Sequence, residues 1–286
     1  MIEKKINLLN NFFSKATFYN LIGQKCDETY HEIVKKYVEN PYGKQNKELI
    51  HEVYLKLKRE YRNEYFYKNT LLNKRLFGVH SVTTTTALTE LPINKSKADL
   101  ILINGKAVVY EIKTELDTLE RLENQIEDYY KAFPYVSVCT CEKNLDVLQK
   151  FIKRIHKPVG LCYLKKENHI STILEPEYYP DELDKTVIFK MLRKYEYEEI
   201  LEDYYGVLPQ ANAFKYYGIC KEWFQNIPLK ESYCKVLKLL KKRMKIDKNE
   251  IMKVPYEIRY LTYFMNLKKE SYEYLFDFLD KTYGGV

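Results

Sequence analysis

No stretch of the chain approaches the ~18 consecutive apolar residues that a membrane-spanning helix needs. The first residues, MIEKKINLLNNFFSKATF, hold no apolar signal core and no small-residue cleavage site, so the expectation is a cytoplasmic protein that is not exported. Glycine and proline are scarce, at nine each, and no internal repeat or low-complexity tract is present. Six cysteines occur, but none forms a C-x2-C pair, and no histidine sits at zinc-ligand spacing from them. They read as reduced, mostly buried thiols. The five histidines are scattered, which gives no support to a Ser-His or Cys-His nucleophile. The charge excess is modest, +7, and weakly favours polyanionic partners.

What is present is a soluble-protein composition: 45% apolar and 30% charged over 286 residues, enough for a large core. The 28 tyrosines can stack on bases, though most are expected in the core or on the surface. Helical spacing of Ile6, Leu9, Phe12 and Phe13, then Ile33, Val34 and Tyr37, predicts one or two helices before a break at Asn40-Pro41-Tyr42-Gly43. A helical tract follows over 46–76. Strand patterns then appear at Val82–Leu91, Asp99–Ile103 and Ala107–Lys113, with Asn104-Gly105 as a turn. Asp117 and Glu120 suggest a capping box for a helix to about Phe133. Strands at Tyr135–Cys141 and Val159–Leu164 flank a helix at Leu145–His156. Beyond Pro180 the chain reads as almost wholly helical. The expected organisation is an α/β class with a central mixed β-sheet flanked by helices. A helical N-terminal extension (1–45) precedes that core (46–178), and a helical C-terminal domain (179–286) follows it.

The richest chemistry lies in KADLILINGKAVVYEIKTELDTLERLENQIEDYYKAF, residues 97–133. Asp99 sits in one apolar run, and Glu111 and Lys113 end another. A carboxylate inside such a run needs a cation or a donor. Glu111 and Lys113 share one face of their strand. Two carboxylates on neighbouring strands can hold one Mg2+, and a lysine beside them can position or deprotonate an attacking water, which is the equipment for phosphodiester hydrolysis. This carries a condition. An even two-residue turn at Asn104-Gly105 would put Asp99 and Glu111 on opposite faces; only an odd-length connection or a β-bulge brings them together. The following helix carries a core stripe of Leu119, Leu122, Ile126, Tyr130 and Phe133. A second stripe, Asp117, Arg121, Gln125 and Tyr129, borders it, drifting ~40° per step. Further on, residues 230–245 form a basic amphipathic segment that could follow a phosphate backbone or be a solvated helix face.

Asp99, Glu111-Ile112-Lys113 and Gln125-x3-Tyr129 together resemble the PD-(D/E)XK, or restriction-endonuclease-like, nuclease superfamily over roughly residues 48–165. The run Tyr110, Glu111, Ile112, Lys113, Thr114, Asp117, Arg121, Leu122, Gln125 and Ile126 is similar to the Y-E-I-K-T-x2-D-x3-R-L-x2-Q-I signature of a bacterial branch. The resemblance implies an Mg2+- or Mn2+-dependent nuclease acting on nucleic acid, DNA foremost, in a homodimer where both strands are cut. It implies metal ligation by Asp99, Glu111 and the Ile112 carbonyl, with Lys113 as the catalytic lysine and Gln125 and Tyr129 as the accessory Q-x3-Y pair. Ala98 stands where the motif often has proline. Many members add a glutamate from the helix before the sheet; Glu64 is the candidate, with Glu52 and Glu90 as rivals. The alternative is a non-catalytic nucleic-acid-binding or adaptor protein that reuses the fold.

Overall fold

The computed structural model describes residues 9–25, 27–60, 62–79, 83–165 and 168–284. Ile6, Cys26, Tyr61, His80 and the Val82 start of the expected first strand lie outside the described residues. Among the described residues, no helix is long and apolar enough to cross a membrane.

The chain divides into two units: one joins Met1–Thr83 to Lys245–Val286, and the other is the continuous stretch Thr84–Met244. This differs from a division at 45 and 178. The change from helical to strand pattern is local, whereas unit one is closed by helices from opposite ends of the chain. It contains α1 (Lys15–Ile22), α2 (Glu28–Tyr37), α3 (Asn46–Glu60) and α4 (Glu64–Leu72), and later α11 (Lys248–Lys253), α12 (Arg259–Met265) and α13 (Lys269–Asp280). Buried Asn46 fastens the two ends: its amide donates to the Phe278 carbonyl at 2.8 Å and accepts from the Tyr30 hydroxyl at 2.6 Å. The expected tract over 46–76 is two helices. The Asn63 side chain accepts the Phe66 N–H at 3.0 Å, so it caps a new helix where the old one would have continued. A π-helical turn, Asn73–Val79, follows α4.

Unit two has an α/β architecture built on a six-stranded mixed sheet. Strands β1 (Thr86–Ile93), β2 (Ser96–Asn104), β3 (Lys106–Lys113), β4 (Val136–Cys141), β5 (Gly160–Leu164) and β6 (Ile170–Leu174) lie in chain order. The first three form an antiparallel meander, β3, β4 and β5 run parallel, and β6 returns antiparallel. Parallel neighbours need crossovers, supplied by α5 (Leu122–Tyr130) and α6 (Leu145–Ile155). Helices α7 (Lys185–Lys190), α8 (Lys194–Tyr205), α9 (Ala213–Asn226) and α10 (Leu229–Lys242) complete the unit. Ile101, Ile103, Ala107 and Val109 on one sheet face share a core with Leu122, Ile126, Tyr129 and Tyr130 of α5. Asp99, Glu111 and Lys113 have the same parity as these residues, so they continue that face towards the end of β3.

Strand β6 was not expected. It is short and at most half-buried, so its sequence has little apolar alternation to betray it. The basic segment becomes α10, which buries Val236, Leu239 and Leu240. Much of its charge is engaged within the unit. Lys235 pairs with Asp203 at 3.3 Å, Lys242 pairs with Glu199 at 2.6 Å, and Lys241 donates to the Thr84 carbonyl at 2.8 Å. Arg243 enters the core and meets the fully buried Glu196 through two 2.6 Å hydrogen bonds.

Candidate active site

The connection between β2 and β3 is odd. Ile103 pairs with Ala107 and Asn104 with Lys106, leaving Gly105 alone at the tip with φ +69°. Glycine adopts this left-handed conformation without a Cβ penalty. The pairing runs back to Leu100 opposite Tyr110. One step further, the same register carries Asp99 and Glu111 to the same face, as the chemistry requires. There the Asp99 side chain takes over as partner: its Oδ2 accepts the Ile112 N–H at 2.8 Å. The Asp99 carbonyl in turn accepts from the Thr89 hydroxyl at 2.7 Å.

Glu111 is 2% exposed and Lys113 7%. Burial of two charges is tolerated here because each is hydrogen-bonded as well as paired. Lys113 Nζ lies 2.9 Å from Glu111 Oε1. Gln125 bridges them: its Nε2 donates to Glu111 Oε1 at 2.6 Å, and its Oε1 accepts from Lys113 Nζ at 2.8 Å. Its two partners thus fix which way the amide points. The Tyr129 hydroxyl lies 2.5 Å from Glu111 Oε2 and 2.9 Å from the Lys97 carbonyl. A phenol has one proton, and the shorter contact to the carboxylate is the stronger bond. Burial, and after it the Glu111 charge, pushes the Tyr129 hydroxyl well above its ordinary pKa, so it remains a donor. The Lys113 carbonyl accepts from Thr140 on β4 at 2.8 Å, which fixes the end of β3.

Helix α5 delivers Gln125 and Tyr129 because they are four residues apart, one turn along a face beside the buried Leu122, Ile126 and Tyr130. Its start departs from expectation. The helix begins at Leu122, and no capping box forms at Asp117 and Glu120. Asp117 Oδ2 instead accepts both the N–H and the hydroxyl of Thr114, at 2.7 and 2.6 Å. A side chain committed to that turn cannot cap a helix. Asp117 therefore shapes the exit from β3, and Arg121 stands exposed just before α5.

The three candidates for a further glutamate lie on three different elements. Glu64 opens α4 in unit one, exposed and 2.5 Å from Lys68. Glu52 lies on α3, 2.7 Å from Lys44. Glu90 lies on β1, in unit two, with its φ at +55°. It presents a carboxylate oxygen within 4.8 Å of one from Asp99, and pairs with Lys97 at 3.1 Å. A non-glycine residue in the left-handed region is uncommon in a strand. Nothing in the sequence marked that conformation.

The sequence also gave no sign of the role of Asp128. It is buried, and it ties the β1–β2 hairpin to α5. Its carboxylate accepts from the Asn94 amide at 2.6 Å, the Ser96 hydroxyl at 2.8 Å and the Lys95 N–H at 3.3 Å. Burial alone would raise its pKa; the hydrogen bonds from Asn94, Ser96 and Lys131 outweigh that and hold it below the ordinary value.

The donors are all hard oxygens. Asp99 and Glu111 carry two negative charges against the single charge of Lys113, an excess suited to a divalent cation. The ammonium has three N–H donors; two meet Glu111 and Gln125, and the third has no acceptor among the described residues.

Comparison with known proteins gives a family. Over 110 residues the chain is 27% identical to Protein cII of Enterobacteria phage P4, an alignment covering 38% of this chain and 40% of that protein. The chain thus spans less than half the length of this relative. No solved structure matches. The model of the family described as Bacteriophage P4 protein cII matches residues 57–260, more than half of the chain, and the protein belongs to that family.

Proposed function

We propose that the protein is a metal-dependent nuclease that hydrolyses phosphodiester bonds of DNA. The observation that carries this reading is the odd β2–β3 connection, which puts Asp99 on the face of Glu111 and Lys113, where Gln125 and Tyr129 meet them. Support also comes from the central mixed sheet flanked by helices, the architecture that the PD-(D/E)XK resemblance implies.

Asp99 and Glu111, with the Ile112 carbonyl, would hold Mg2+ or Mn2+. Such an ion, when bound, neutralises charge on the phosphate and its leaving oxygen. The protein's own groups do the rest. Tyr129 and Gln125 hold the Glu111 carboxylate in one orientation. Gln125 and Glu111 hold the Lys113 ammonium, whose remaining N–H can bond an incoming water or a phosphate oxygen. Burial excludes bulk water from the pair and strengthens each of these interactions.

The test is cleavage of circular single- and double-stranded DNA with Mg2+, Mn2+ or EDTA. Metal-dependent cutting is expected, reduced at least ~100-fold in Glu111→Ala and in Lys113→Ala. DNA binding without cutting under any condition would favour the adaptor reading. Cutting that persists in both variants would show that the site lies elsewhere.

A further inference from the structure

Beside the candidate site runs an open groove of about 710 Å3, formed by the β1–β2 hairpin and the flank of α5. Gln125 lines it, so it adjoins the residue that bridges Glu111 and Lys113. Lys97 lines it too, and its carbonyl is a neighbour of the Tyr129 hydroxyl. Four cations surround it: Lys95, Lys97, Arg121 and Lys131. Lys97 is paired with Glu90 and Lys131 with Asp128. Lys95 and Arg121 are exposed, and neither forms an ion pair among the described residues. The acids on the groove are Glu127 and Asp128, and Asp128 is turned inward to fasten the hairpin. The described residues lining the groove include no aromatic side chain.

From this we infer that the groove carries the sugar–phosphate backbone of duplex DNA towards the Glu111–Lys113 centre. Unpaired cations neutralise phosphates and fix the register of a strand without reading its bases. Proteins that grip single strands stack the splayed bases on aromatic rings. A groove without rings has no such platform and suits a strand whose bases stay stacked in a duplex. The hairpin is held at Asn94, Lys95 and Ser96 by one buried carboxylate, so the Lys95 backbone is fixed before any ligand arrives.

The inference rests on the nuclease reading for its direction but is tested without catalysis. Binding of a fluorescent random-sequence duplex is measured by anisotropy in EDTA, with the full chain. Lys95→Glu with Arg121→Glu should weaken binding at least ~10-fold and lower the slope of log K against log salt by about two. The milder Lys95→Gln with Arg121→Gln should show a smaller loss in the same direction. Lys150→Glu with Lys153→Glu, two exposed residues of α6 that do not line the groove, is the control for net charge. Thermal unfolding of each variant guards against a folding defect. A groove variant that loses no more affinity than the control would overturn the inference. So would a wild type that binds no duplex, or one that prefers a single strand ~10-fold. If the groove variants lose binding but the wild type never cuts, the groove stands and the nuclease reading falls. If Lys113-dependent cutting and binding both survive in the groove variants, the groove falls alone.

Discussion

Glu111 is a buried carboxylate held by three donors from two elements: Lys113 on its own strand, and Gln125 and Tyr129 on α5. Each donor answers part of the desolvation that burial imposes, so removal of any one leaves a charged acceptor underserved. Tyr129→Phe keeps the ring and its packing but removes the hydroxyl proton. It should lower stability by about 1–3 kcal/mol, read from urea unfolding, with little change in the slope of the transition. An unchanged midpoint would mean that the 2.5 Å contact adds nothing. At this scale the residues themselves were legible. Asp99, Glu111 and Lys113 stood out because charges inside apolar runs demand partners. The left-handed backbone of Glu90 and the anchoring role of Asp128 did not, because neither leaves a periodic trace in sequence.

The elements decide whether those residues can meet. The sequence posed the condition, an odd connection between β2 and β3, and the pairing around Gly105 meets it. It could not supply the answer, because Asn-Gly suits both even and odd turns. The start of α5 was misplaced because Asp117 has two uses, helix cap or strand-exit turn, and the nearby Thr114 hydroxyl and N–H decide for the second. The Asp128 anchor between hairpin and helix carries a pH prediction. Its folded pKa is depressed, so its contribution is fully present above the ordinary carboxylate value of 3.8 and is lost as pH falls below that value through the folded one. Wild type should therefore lose stability below about pH 4 more steeply than Asp128→Asn. Parallel acid limbs in thermal melts of the two proteins would refute the anchor.

For the whole molecule, the family match over 57–260 runs through all of unit two and into unit one on both sides. The fold class was legible, since strand and helix patterns alternate across the middle of the chain. The division into units was not, because Asn46 and Phe278 are joined only in three dimensions. Unit two is continuous and encloses its own core, from Leu88 on β1 to Leu240 on α10. A fragment of residues 84–244 should fold alone, with a cooperative melt and mixed helix–sheet circular dichroism. A featureless melt would show that the ends of the chain are needed to complete it.

The central claim is that Asp99 and Glu111 act on one cation. It is tested most directly by titrating Mn2+ into wild type, Asp99→Asn and Glu111→Gln, and counting bound ion by electron paramagnetic resonance. The account predicts one tight site in wild type, weakened at least ~10-fold in each variant. Equal Mn2+ binding by all three proteins would contradict it.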